Sequence, residues 1–241
     1  MTAPELVRLA KLMAERGLAS RGEADRMIAR GWVRVNGRVA QSGEHALPDA
    51  HIELSAEADA QRAAAITVVL HKPRGFTSAP DETGGASVLG LLTAAAHRSV
   101  DTGAPPDLRS LGLRVAARLA VQETGLVVYT NDSALARRLS EPTTLEQWQI
   151  HVRAQDGAPN AAEDTAQIEQ ALRRSVPDAR FNASAAGRWV VSTPALRKGH
   201  WSALAEEHGW VVDAVRLARG EVALADQPEA TWRVWRAPHT P

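Results

Sequence analysis

Apolar residues at Leu6, Leu9, Ala10 and Met13 recur three to four positions apart, which predicts an amphipathic helix over residues 5–17 with Gly17 as its stop. Ser20 then stands where an N-cap belongs, and Glu23 three positions later completes a capping-box pattern. The helix it opens is predicted to run to about Arg30, with Ala24, Met27 and Ile28 apolar and Gly31 ending it. Alternation takes over in Trp32-Val33-Arg34-Val35 and in Arg38-Val39, separated by Asn36-Gly37. Both separating residues accept the positive φ of a type I′ turn, so a hairpin is expected. Two helices and a hairpin make a small unit, residues 1–54.

Residues 55–65 carry no turn chemistry and little apolar pattern, and read as a linker. A second unit, residues 66–241, opens on the apolar strand Ile66–Leu70. Pro80, Gly84, Gly85, Gly103, Pro105 and Pro106 imply long loops around a short helix near Ser87–Ala96. A strand at Gly125–Thr130 leads through the capping residues Asn131-Asp132-Ser133 into a helix over Ala134–Leu139. Further strands are expected near Gln147–Arg153, near Arg188–Ser192 and up to Trp235, with helices near Glu163–Arg174 and Trp201–His208. There is no internal repeat, and the irregular interleaving points to an α+β fold with a mixed, mainly antiparallel sheet.

Composition narrows the chemistry. Of 241 residues 44% are hydrophobic and 23% charged, enough to bury a core. The absence of Cys excludes disulfides, thiolate catalysis and cysteine-ligated zinc. The eight His form no pair at metal-ligand spacing, so no metal is expected. No apolar run approaches the roughly 20 residues that span a bilayer, and charges interrupt the first residues where a signal peptide would be apolar, so a cytoplasmic protein is expected. Net charge is zero but unevenly spread: residues 1–40 hold eight Lys and Arg against four acids.

The elements Ser20-Arg21 with Ala24, Gly31-Trp32-Val33 and Val35-Asn36-Gly37 resemble the RNA-binding domain of small-subunit ribosomal protein four, over about fifty residues. Arg21, Arg26 and Arg30 on the second helix and Arg34 and Arg38 on the hairpin form one basic strip. Such a strip neutralises phosphates and follows backbone shape without reading bases. With Arg8, Lys11, Ser20 and Asn36 these are the candidate RNA contacts, to which Lys72 and Arg74 of the second unit are added. The bland alternative is a solvated charged face.

The second unit resembles the ribosomal RNA pseudouridine synthases that carry this domain at their N-terminus. His71-Lys72-Pro73-Arg74-Gly75 is similar to the family's Asn-Lys-Pro-x-Gly, and Thr124-Gly125-Leu126-Val127-Val128-Tyr129-Thr130-Asn131-Asp132 to its Thr-x-Gly-Leu-Leu-Leu-Leu-Thr-Asn-Asp. The resemblance implies a cofactor-free isomerisation at a uridine that depends on an aspartate in Gly-Arg-Leu-Asp. Here that motif reads Ala117-Arg118-Leu119-Ala120. A methyl group can be neither nucleophile nor base. Glu123 stands three positions on, roughly 10 Å along an extended chain. Trp148 takes the place of the family's base-stacking Tyr. Of its later Arg-rich segment only Arg197, beside Lys198, survives within Leu196–Ala203. Ala117, Val121, Gln122, Ser202 and Ala203 depart too, so the loss reads as drift rather than a single substitution.

These observations predict an RNA-binding protein, catalytically impaired or inactive, whose partner is structured RNA such as ribosomal RNA. An active synthase with a displaced acid is the alternative. A ribosome-assembly scaffold is a second alternative, motivated by seven Trp that would form a protein-binding face if they were not core.

Overall fold

The computed structural model describes residues 5–98, 108–154, 162–185 and 188–237. The chain divides into two units, Met1–Ala65 with Asn131–Arg137, and Ile66–Thr130 with Arg138–Pro241.

In the first unit the opening helix covers Leu9–Glu15 rather than residues 5–17. Val7–Arg8 instead pairs antiparallel with His45–Ala46, and the Leu9 amide donates to the Glu44 carbonyl at 2.8 Å, leaving Leu6 exposed. The second helix, Arg21–Ala29, carries the expected capping box: the Glu23 amide donates to Ser20 Oγ at 3.3 Å, and the Ser20 amide to the Glu23 carboxylate at 3.0 Å. The strands Val33–Val35 and Arg38–Val39 flank Asn36 at φ 49° and Gly37 at φ 80°, the backbone that a type I′ hairpin requires. Ile52–Leu54 adds a third strand. Leu9, Met13, Ala24, Met27, Ile28 and Val33 fill the core. Residues 55–65 are no plain linker: Ala56–Ala63 is a helix, and Ala58 is fully buried in that core. Among the described side chains of this helix only Ala58 is buried, too weak a pattern to read in the sequence.

The second unit is built on a nine-stranded mixed sheet. Its main path runs Arg180–Ala185, Arg188–Pro194, Leu145–Ala154, Trp210–Arg219, Thr124–Thr130, Thr67–Lys72 and Trp232–Trp235. Arg114–Ala117 pairs with Thr124–Thr130, and Val222–Ala223 with Trp210–Arg219. All pairings are antiparallel except that of Thr124–Thr130 with Trp210–Arg219. Gly125 pairs with Arg216 in that parallel contact at φ 106°, and a Cβ there would stand 2.4 Å from the Arg216 carbonyl oxygen, so only glycine fits. The helices Ala162–Ser175 and His200–His208 supply Ile168, Leu172, Trp201 and Leu204 to the core on one sheet face. The helix Ser133–Ser140, whose start belongs to the first unit, is opened by Asp132, whose Oδ1 accepts from the Ala134 and Leu135 amides.

The helix expected near Ser87–Ala96 is reduced to one 3-10 turn, Val88–Leu91. The carbonyls of Thr93 and Ala96 accept from the Trp232 ring and amide instead of continuing a helix. Trp148, Trp189, Trp201 and Trp232 are at most 2% exposed. These four are core, which removes most of the motive for a Trp-rich docking face. Among the described residues no helix is long and apolar enough to cross a membrane, and no group of three or more His, Asp or Glu could hold a metal.

Candidate functional site

Ala120 sits in a tight turn between the Arg114–Ala117 and Thr124–Thr130 strands, closed by the Glu123 amide donating to the Ala120 carbonyl at 3.2 Å. The turn reverses the chain, so Glu123 is not the extended 10 Å away that its spacing suggests. Its carboxylate folds back and accepts from the Ala120 amide at 2.9 Å. It is 3% exposed. Burial raises its pKa above the ordinary 4.5, against the opposing pull of amide hydrogen bonds from Ala120 and Gly199 and of the Arg216 charge. The loop from across the site closes on the same spot, since a Cβ placed on Gly199 would lie 3.7 Å from the Ala120 methyl.

Neighbouring residues immobilise this turn. Ser78 Oγ accepts from the Leu119 amide at 2.9 Å and donates to the Leu119 carbonyl at 3.0 Å. The Lys72 ammonium donates to the carbonyls of Pro73, Phe76 and Val121. Lys72 is fully buried, and burial pulls its pKa down to about 8 against the upward pull of Glu123 and Glu82. The expectation that Lys72 contacts RNA is therefore corrected: its charge is consumed inside the fold.

Trp148 is corrected likewise. It is 2% exposed, edge-on to Trp201 at 6.0 Å, and its ring N–H donates to Glu146 at 2.9 Å, so it offers no face to a base. Behind it lies an ionic cluster that sequence reasoning alone missed. The Glu146 Oε1 accepts from Arg216 Nη1 at 2.9 Å and from Arg219 Nη1 at 2.5 Å, with all three side chains at most 9% exposed. Arg216 also donates to the carbonyls of Ala117, Arg118 and Leu126, so it holds both ends of the segment that carries Ala120. Strand parity is the available signal: Trp210, Val212, Ala214 and Arg216 share one face, as do Glu146, Trp148 and Ile150.

Arg118 points outward to Asp81 at 3.1 Å and Glu82 at 3.3 Å, and Lys198 reaches the same Glu82 at 2.7 Å. The Glu82 carboxyl is raised by burial but held low overall by Lys198, the Ser78 amide and the Arg118 charge. The acids around the Ala120 turn are thus committed to partners. Asp107, a further acid upstream of the turn in the sequence, lies outside the described residues.

Glu123 gives a direct test. Glu123→Gln keeps an oxygen for the Ala120 amide and removes a buried charge, whereas Glu123→Ala strands that amide. The alanine variant is expected to lose about 1–3 kcal/mol of unfolding free energy. Because the folded pKa lies above the unfolded one, ionisation opposes folding once the pH exceeds 4.5, so the glutamine variant should gain on the native protein between pH 4 and pH 7. Equal pH profiles in denaturant titrations would refute this assignment.

In the first unit, Arg21, Arg26, Arg30, Arg34 and Arg38 are all exposed. Arg30 stacks over Trp32 at 4.7 Å and Arg34 donates to the Gly37 carbonyl. Arg8, Lys11 and Arg38 pair with Asp25, Glu15 and Glu44, and Arg74 of the second unit with Asp213. Arg21 and Arg26 form no salt bridge among the described residues. Ser20 and Asn36 are taken by the fold, Ser20 as a helix cap and Asn36 through Oδ1 accepting from the His51 amide at 2.9 Å. Glu23 is raised by burial, but hydrogen bonds from Ser133 and Ser20 and the charge of Arg26 bring it below its ordinary value.

Comparison with known proteins gives three results. Residues 7–51 match the family model for the S4 domain. The chain is 32% identical over 162 residues to ribosomal large subunit pseudouridine synthase B of Xanthomonas campestris, covering 64% of this chain and 30% of that protein. It is 33% identical over 137 residues to ribosomal small subunit pseudouridine synthase A of Pseudomonas aeruginosa, covering 56% of this chain and 54% of the relative. The matches thus span about half or less of those relatives. A crystal structure described as a pseudouridylate synthase has the same fold, with a TM-score of 0.55, 18% identity and coverage of 95% of this chain and 96% of that one.

Proposed function

The chain carries an S4 domain and is homologous to the ribosomal RNA pseudouridine synthases, and on that premise we propose that it binds structured RNA, ribosomal RNA foremost, without isomerising uridine. The observation that carries the loss of chemistry is the Ala120 turn. Where the relatives' motif calls for a carboxylate there is a methyl group, and the carboxylate that reaches it, Glu123, is buried and hydrogen-bonded to amides. RNA binding is supported by the exposed arginines of the first unit. A cytoplasmic setting follows from that partner.

An active synthase is the second reading, and Glu123 is the displaced acid it would need. Burial and the amide bonds count against it, because a nucleophile or base must reach the substrate.

Two measurements test the proposal. Binding to a ribosomal RNA transcript should weaken linearly in log–log terms as salt rises, the signature of released counterions; affinity indifferent to salt would sink the RNA reading. Ala120→Asp should remain unreactive. The restored carboxylate would lie beside Glu123 and the Gly199 loop, Arg118 is turned outward to Asp81 and Glu82, and Arg216 is already engaged by Glu146 and carbonyls. Pseudouridine made by that variant would show the rest of the site to be intact.

A further inference from the structure

Core residues define one face of the four strands Arg180–Ala185, Arg188–Pro194, Leu145–Ala154 and Trp210–Arg219, through Trp148, Ile150, Trp189, Val191 and Ala214. The opposite face is not apolar. Register sets His151 beside Arg188 on one side and Asp213 on the other. Gln149 lies opposite Val190 and Val215, the exposed Asn182 opposite Val190, and Arg180 opposite Ser192. Arg153 follows His151 by two positions and so shares the face, and Arg153, Arg180, Arg188 and Gln149 are exposed.

The charge on this face is one-sided. Asp213 is its one carboxylate among the described residues of these strands, held by Arg153 at 2.5 Å and by Arg74, from the loop after Lys72, at 2.7 Å. That clasp fixes two guanidiniums side by side, each with N–H groups to spare. Arg180 and Arg188 form no salt bridge among the described residues. Four arginines thus face one carboxylate, over a surface roughly 14 Å wide by the usual strand spacing, in a chain whose net charge is zero.

We propose that this open sheet face is a second RNA-binding surface, on which Arg74, Arg153, Arg180 and Arg188 take backbone phosphates and Gln149 and Asn182 take ribose hydroxyls. The chemistry is complementary to a polyanion at fixed spacing, and among the described residues of these strands the face carries no Phe, Tyr or Trp ring on which a base could stack, so the contact is with the backbone of helical RNA. The inference rests on the RNA reading and adds a site on the second unit that is separate from the Ala120 turn.

The test uses the full chain and a ribosomal RNA transcript. Arg180→Glu with Arg188→Glu breaks no salt bridge among the described residues, and should weaken binding at least about tenfold and lower the salt slope by about two. Arg153→Gln, which leaves Arg74 on Asp213, should lower the slope by about one. Unchanged affinity and slope in folded variants, checked by circular dichroism, overturn the proposal and leave the face to an acidic protein surface. Arg21→Glu with Arg26→Glu, titrated in parallel, separates the two claims. If only that variant loses affinity, the second surface fails alone; if neither does, the RNA reading fails with it.

Discussion

Glu146→Ala is expected to lose about 3–5 kcal/mol of unfolding free energy, the usual cost of stranding a buried charge. Against a typical total of about 5–15 kcal/mol this is a large fraction. The carboxylate neutralises Arg216 and Arg219 in a site where none of the three is more than 9% exposed. Without it two guanidiniums remain beside each other, partly satisfied by carbonyls but not neutralised. Trp148 also loses the acceptor for its ring N–H. Since Trp148 belongs to the cluster, tryptophan fluorescence during denaturant unfolding reads the change directly. A midpoint equal to that of the native protein would mean that the cluster contributes nothing net.

Arg21→Glu with Arg26→Glu is expected to weaken binding to helical RNA at least about tenfold and to lower the salt slope by about two, since each arginine neutralises one phosphate. The two residues are chosen because they are exposed and form no salt bridge among the described residues. Reversing them adds repulsion and breaks no salt bridge among the described residues, although Arg26 also helps hold Glu23 ionised through its charge. Arg8 or Arg38 would be poorer choices, as each change would also release a carboxylate. A folded variant that binds as the native protein does would remove this face from the RNA interface.

Local chemistry makes much of the fold legible in the sequence. The Ser20–Glu23 capping box and the Asn36-Gly37 turn depend on residues a few positions apart, and both form as expected. Expectation fails where distant contacts decide. Lys72 is a lysine in an apolar strand, and residue type alone would put it on the surface; burial among three carbonyls overrides that preference. The ring chemistry of Trp148 suggests a stacking platform, yet its parity with Ile150 and Val152 places it inward. Spacing along an extended chain sets Glu123 far from Ala120, although the segment between them forms a turn. That local reversal creates the most consequential contact in the site. Exposure of Arg21, Arg26, Arg30, Arg34 and Arg38 needs no tertiary information, because residue type alone puts arginine on the surface, and all five are exposed.

The packing around Ala120 agrees with the proposed loss of chemistry. An aspartate at position 120 would need open space and a positive neighbour. Here Gly199 closes on the methyl, Glu123 takes the amide, and Arg216 is bound by Glu146. Each of these holds the turn as it stands.

The most direct measurement is the pseudouridine content of a ribosomal RNA transcript after incubation with the native protein at concentrations that saturate binding. The prediction is a fully bound transcript with no pseudouridine above the protein-free control. Pseudouridine formed at a defined position, and abolished by Glu123→Gln, would contradict the account and make Glu123 the displaced acid.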